Sequence, residues 1–205
     1  MRRLAVALLV AGGLVWLLRR PRALVGKSGG KATGGVVPGD PAALAASAGV
    51  PLPVYALARM IASEAGNRPR AEKLAVGWAA RNYARQKYGG DVFKALTSSG
   101  PAGSRGRFGS QNLGRYAATG QDPRADDLEI AIAVYARAEP DPTGGGTRFD
   151  SPRAQDALAK RGKVKGYNKD SAAVGASRRS EGFREVQIAG IDPRALRVWA
   201  RAGAA

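Results

Sequence analysis

Residues 51 to 67 read PLPVYALARMIASEAGN, and their pattern decides how the central part of the chain folds. Apolar side chains recur at Val54, Leu57, Met60 and Ile61, which is the spacing of one face of a helix. Glycine follows at residue 66, where a helix commonly ends. The sequence therefore predicts a buried helix over 51–65, with the carboxyl group of Glu64 in its last turn.

Further helices are predicted on both sides of glycine-rich breaks. A second helix begins at Pro69 and runs to Tyr88, where Gly89-Gly90 ends it. Asp91 is expected to cap a short helix, and the periodic segments over 123–138 and 193–202 predict two more. A short strand is expected within 183–191, and irregular structure over 98–112 and 160–180. The expected fold class is α+β, mainly α.

The N-terminus carries an apolar segment that resembles a membrane anchor. Residues 4 to 18 read LAVALLVAGGLVWLL between arginines. As a helix they cover roughly 22 Å of a hydrocarbon core about 30 Å thick. A cleaved signal peptide has a similar start, but arginines stand where a small-residue cleavage site is expected; a buried soluble helix is the other alternative. We expect a single-pass anchor over 1–25, a flexible Gly/Ala/Pro linker over 26–49, and a folded catalytic domain over 50–205.

The composition excludes most hydrolytic mechanisms. The chain has no His and no Cys, so Ser-His-Asp triads, Cys-His pairs and ordinary zinc sites are not available to it. General acid-base chemistry then falls to Glu, Asp, Lys or Tyr. A glycosidase that works through carboxyl groups passes this filter, and no cofactor is expected.

The charge of the chain points to anionic partners. The formal net charge is +17, and 26 basic against 15 acidic residues lie beyond residue 53. Such a surface attracts a wall bearing anionic polymer, anionic lipid or nucleic acid. A solubilising arginine-rich surface is an equally good interpretation.

A glycine loop lies at residues 141 to 149, DPTGGGTRF. Glycines let a backbone approach a bulky sugar closely. A plain turn, in which the Asp141 side chain accepts backbone hydrogen bonds, is the simpler interpretation. No Gly-Lys-Ser/Thr follows, so a phosphate loop is not indicated. Candidate substrate contacts are two aromatic rings that can stack on sugars, several polar side chains and one glycine. They are Asn82, Phe108, Ser110, Gln111, Asp141, Thr143, Gly145 and Phe149. Each of them also has an ordinary structural explanation.

Four segments in this order resemble the spore-cortex-lytic and cell-wall-hydrolase family. They are the helix that ends at Glu64, the stretch AVGWAARN at 75–82, the stretch RFGSQ at 107–111, and DPTGGG at 141–146, followed by Phe149 and Pro152. The resemblance covers roughly residues 54 to 152. Tyr83 stands where the family has arginine, and RFDS at 148–151 replaces a stretch that contains histidine.

The resemblance implies a lysozyme-like domain with a cleft that binds peptidoglycan. Glu64 would be the general acid and then the base of a lytic transglycosylase, in which the C6 hydroxyl of the sugar attacks. A muramidase that adds water, and a non-enzymatic basic protein that binds nucleic acid or anionic lipid, are the alternatives. The anchor suits a bacterial inner membrane or the internal membrane of a phage virion.

Overall fold

Seven helices and three strands make up the described part of the chain. The computed structural model describes residues 41–97, 123–161 and 170–203. The elements are α1 (Pro41–Ser47), α2 (Leu52–Ala65), α3 (Arg70–Tyr88), α4 (Val92–Thr97), α5 (Ala125–Ala136), β1 (Arg148–Asp150), α6 (Pro152–Arg161), α7 (Ser171–Ser180), β2 (Phe183–Val186) and β3 (Arg197–Arg201).

The core lies where α2, α3, α4 and α5 pack together. Leu57, Met60 and Ile61 of α2 are completely buried, and each such side chain contributes about 1.5–3 kcal/mol. Gly77 of α3 allows the close approach of its neighbours, because a Cβ there would stand 3.1 Å from Ile61 Cδ1 and 3.2 Å from Val134 Cγ2. The helices α2 and α5 therefore both pack against the same face of α3.

A small antiparallel sheet with strand order β1-β3-β2 covers this helical core. Val198 of β3 is buried on the helical side, and a Cβ on Gly146 would stand 2.4 Å from its Cγ1. Trp199 points to the other side, where its Cη2 would lie 3.6 Å from a Cβ on Gly175 of α7. The sheet thus separates the helical core from α7.

A buried acid closes the outer side of the sheet. Asp150 of β1 accepts hydrogen bonds from Trp199 Nε1 at 2.5 Å and from Arg197 Nη2 at 2.6 Å. Arg197 also donates to the carbonyl of Ser171 at 3.0 Å, which ties α7 to the central strand. This cluster fixes the register of β1 against β3.

The helical predictions up to residue 138 are confirmed, and two predictions about the C-terminal third are wrong. The α+β, mainly helical fold class is confirmed, as are α2, α3, α5, the strand near 183 and the cap of α4, where Asp91 Oδ1 accepts from Lys94 N at 2.8 Å. The segment 193–202 is not a helix, because Arg197–Arg201 forms the central strand. The segment 160–180 is not irregular throughout, since α6 ends at Arg161 and α7 spans Ser171–Ser180.

The start of the folded part lies upstream of residue 50. The helix α1 falls inside the segment that the composition predicts as a linker, and its Ala45 is buried where α1 packs on α2. Residues 4–18, the predicted anchor, lie outside the described residues. Within the described ranges, none of the helices has the length and apolar character needed to cross a membrane.

Candidate functional site

Glu64 lies in the last turn of α2 and is exposed. The helix that carries it is anchored by nine buried residues, from Val54 to Ala65. The carboxyl group therefore stands on a rigid support and faces solvent.

Asn82 organises the glycine loop from the buried face of α3. Its Nδ2 donates to Asp141 Oδ2 at 2.7 Å, to Thr143 Oγ1 at 3.1 Å and to the carbonyl of Gly146 at 3.2 Å. Asn82 is 4% exposed and Thr143 is completely buried. One amide group thus binds three positions of a loop that lies 59 to 64 residues further along the chain.

Asp141 shapes the same loop from inside. Its Oδ1 accepts from Thr143 N at 2.8 Å and from Thr143 Oγ1 at 2.5 Å, and its Oδ2 accepts from Gly145 N at 3.1 Å. Together with the bond from Asn82, these contacts occupy both carboxylate oxygens. The predicted turn, in which Asp141 accepts backbone hydrogen bonds, is therefore present.

The three positions of the loop require glycine for different structural reasons. Gly144 and Gly145 adopt φ values of 53° and 79°, a region that favours glycine, and a Cβ on Gly144 would meet nothing within 4 Å. Gly146 has no positive φ; it is required because the loop touches Val198 of β3. The turn at Gly144 is exposed, so backbone of this loop faces solvent beside the sheet.

The structure brings four of the predicted site residues into one cluster. Asn82, Asp141, Thr143 and Gly145 form what we call the loop cluster, in which the Asn82 amide nitrogen and both Asp141 carboxylate oxygens are hydrogen-bonded within the cluster. Phe149 lies in β1 opposite Val198, half-buried and packed against the core. Phe108, Ser110 and Gln111 lie outside the described residues.

Glu64 is not part of the loop cluster. Ile61, three residues before Glu64, packs on Gly77 of α3, five residues before Asn82. The hydrogen bonds that hold the loop cluster together join α3 to the glycine loop, and Glu64 takes part in none of them.

An ion pair between the start of α3 and the segment after α5 was not predicted from the sequence. Arg70, the first residue of α3, donates to Glu139 through both terminal nitrogens, with Nη1 at 2.9 Å from Oε2. This hydrogen bond holds the pKa of Glu139 below its usual value, and the hydrogen bond from Glu139 raises the pKa of Arg70. Because the partners are 69 residues apart, no local pattern reveals the pair.

Comparisons with known proteins give no independent support for any family. No family model, no curated protein and no solved structure matches the chain.

Proposed function

We propose that this protein cleaves the glycan strands of peptidoglycan, as a lytic transglycosylase with Glu64 as its one catalytic acid. The observation that supports the proposal best is the loop cluster. Asn82 and the glycine loop belong to two separate segments of the motif order that resembles cell-wall hydrolases, and they meet through three hydrogen bonds. The segments that carry the resemblance thus act as one structural unit.

In the proposed reaction Glu64 gives up one proton and then takes up another. Its carboxylic acid gives a proton to the glycosidic oxygen as the C1–O bond breaks, and the carboxylate then takes the proton of the C6 hydroxyl. The C6 oxygen bonds to C1 and leaves a 1,6-anhydro end. A bound glycan strand would cover the exposed carboxyl group and exclude water from it.

The role proposed for the loop cluster is to hold the cleft wall and not to carry out chemistry. Its side-chain polar atoms bind one another, whereas the backbone at Gly144 faces outward. By this proposal the domain is lysozyme-like, and the apolar segment 4–18 anchors it in a bacterial inner membrane or in the internal membrane of a phage virion.

The experiment uses the full-length chain in neutral detergent with purified peptidoglycan. We expect wild-type protein to release anhydromuropeptides and Glu64→Gln to release them at least about a hundred-fold more slowly, because it lacks the acid. Glu129→Gln, an exposed glutamate of α5, is the matched control and should keep full activity. Mass spectrometry of the fragments gives both rate and product.

Each result has a distinct meaning. Fragments with reducing ends, released by wild type and not by Glu64→Gln, would identify the protein as a muramidase and not a transglycosylase. Equal release by wild type and Glu64→Gln would refute the role of Glu64. A folded wild-type protein that releases nothing would favour the non-enzymatic binding protein.

A further inference from the structure

Three arginines around the C-terminal ends of α3 and α5 form a cluster without acidic partners. Arg81 and Arg85 lie one turn apart on α3, and Arg137 directly follows the last residue of α5. Arg81 Nη2 donates to the carbonyl of Tyr135 at 3.4 Å, which brings α3 to the end of α5. Within the ranges that the structure describes, none of the three has a carboxylate within salt-bridge distance. We call Arg81, Arg85 and Arg137 the arginine cluster.

The three guanidinium groups repel one another. Burial lowers the pKa of Arg81, and the positive charges of Arg137 and Arg85 lower it further, while Tyr135 and Asp141 act weakly in the other direction. Arg81 lies over the ring of Trp78, with Cζ 5.3 Å from the ring centroid. The ring and the carbonyl hold Arg81 in place despite the repulsion.

The acidic residues nearest in sequence to Arg137 are already engaged. Asp141 acts on Arg81 electrostatically, but its oxygens are occupied by Asn82, by Thr143 and by the backbone of Gly145. Glu139 binds Arg70 through two hydrogen bonds. Asp141 thus accepts four hydrogen bonds already, and Glu139 is held at Arg70.

Helix dipoles compensate only part of this charge. The carboxyl ends of α3 and α5 each carry about half a negative charge, which favours arginine there. Against three guanidinium groups, this leaves roughly two positive charges without a partner. An anion bound at the arginine cluster would compensate this remaining charge.

Arg137 also occupies a backbone position that favours glycine. Its φ is 57°, and it is the one non-glycine residue with a positive φ among the described residues. Residues with a Cβ are strained there, and such strain is commonly found at sites of function. The arginine side chain is thus kept at a position where glycine would suit the backbone better.

We propose that the arginine cluster binds the phosphate groups of an anionic cell-wall polymer. Guanidinium groups match phosphate oxygens with paired hydrogen bonds, and roughly two uncompensated charges suit a polymer with an anion in each repeat. Tyr135, exposed to 39%, offers its ring to the sugar or polyol between phosphates. The choice of a wall polymer rests on the proposed function, since Arg81 adjoins Asn82 of the loop cluster.

The test measures binding of poly(glycerol phosphate) to the full-length protein in neutral detergent at two salt concentrations. The variant Arg85→Gln/Arg137→Gly removes two cluster charges; the control Lys160→Gln/Arg161→Gln removes two exposed charges from α6. We expect the first to weaken binding at least about ten-fold and the control by less than about two-fold, because paired contacts contribute more than diffuse charge. Arg137→Gly alone should unfold at the same temperature as wild type or higher, so weaker binding would not reflect misfolding.

Five results decide the outcome. Selective loss in the cluster variant, with Arg85→Lys also weakening binding because lysine keeps the charge but makes no paired hydrogen bonds, supports the site. Equal losses of affinity in both double variants would show that binding is diffuse electrostatic attraction, which would overturn the proposed site. Binding of a single-stranded oligonucleotide but not of poly(glycerol phosphate) would overturn the choice of polymer. Glycan cleavage without polymer binding would refute this inference alone, whereas polymer binding without cleavage would refute the proposed function and leave the phosphate site.

Discussion

The two halves of α3 are tied to their neighbours in different chemical ways. Near its N-terminus Lys73, 2% exposed, donates to Asp126 at 2.6 Å and to Asp127 at 2.7 Å, and Arg70 pairs with Glu139. Nearer its C-terminus the uncharged amide of Asn82 binds the glycine loop. One half is therefore held by ion pairs and the other by hydrogen bonds from a neutral donor.

This difference matters for the proposed active cleft. Ion pairs respond to pH and salt, whereas an amide donor does not titrate. The half of α3 that holds the glycine loop depends on a donor without charge, and the charged residues on its surface are left for partners. We therefore expect added salt to weaken the N-terminal junction of α3 more than the junction with the glycine loop.

The largest effect is expected from Gly146→Val, which breaks the contact between the glycine loop and the sheet. Even a Cβ at this position would stand 2.4 Å from Val198 Cγ1. Overpacking of this kind should lower the free energy of unfolding by about 3 kcal/mol. Denaturation by urea measures the change.

Gly144→Ala serves as the matched control. It has a φ of 53° but meets nothing within 4 Å, so it carries only the backbone strain of about 1 kcal/mol. Equal losses for both variants would show that the approach to Val198 is not the reason for Gly146.

Asn82→Ala is expected to have the next largest effect. It removes the donor from Asp141, Thr143 and the carbonyl of Gly146, and buried acceptors left without donors should cost about 2 kcal/mol. Because the donor is neutral, added salt should hardly change the loss. Asn67→Ala, an exposed residue of the turn before α3, should stay within about 0.5 kcal/mol of wild type. If added salt halved this loss of stability, the result would contradict the contrast between the two halves of α3.

The helical half of the fold was predictable because its signals are local. The periodic apolar residues of α2 and the glycines at 66 and 89 fix where α2 and α3 end, and Gly89 takes a φ of 62° as its C-cap. Asp91 likewise caps α4 within its own segment. Each of these features depends on residues a few positions apart.

The sheet was not predictable because its signals come from contacts distant in sequence. In Arg197–Arg201 three consecutive apolar residues lie between two arginines, and a run this short suits a helix or a strand equally well. It becomes a strand because Trp199 reaches Asp150 and Val198 packs on Gly146. The same holds for the candidate site: the sequence pointed to Asn82 and Asp141, but that they bind each other follows only from a contact across 59 residues.

The smallest effect concerns the ionic half of α3 and is tested by Asp126→Asn. The hydrogen bond from Lys73 lowers the pKa of Asp126 from its usual value of 3.8. A lowered pKa in the folded state contributes stability above pH 3.8, and this stability is lost as the pH falls through the folded value. The side chain of Asp126 is 58% exposed, so the loss at pH 7 should stay below about 1 kcal/mol.

The pH dependence of that loss separates the ion pair from a general effect of charge. The difference between wild type and Asp126→Asn in urea denaturation should be largest near pH 7 and vanish well below pH 3.8, where Asp126 is protonated in both states. Glu129→Gln, which removes an exposed charge of the same helix, shows how much any lost acid matters in a chain of net charge +17. If the two variants followed the same curve, the contact with Lys73 would contribute nothing of its own. The N-terminal half of α3 would then be held by Asp127 alone, and the contrast with the amide of Asn82 would rest on one buried pair.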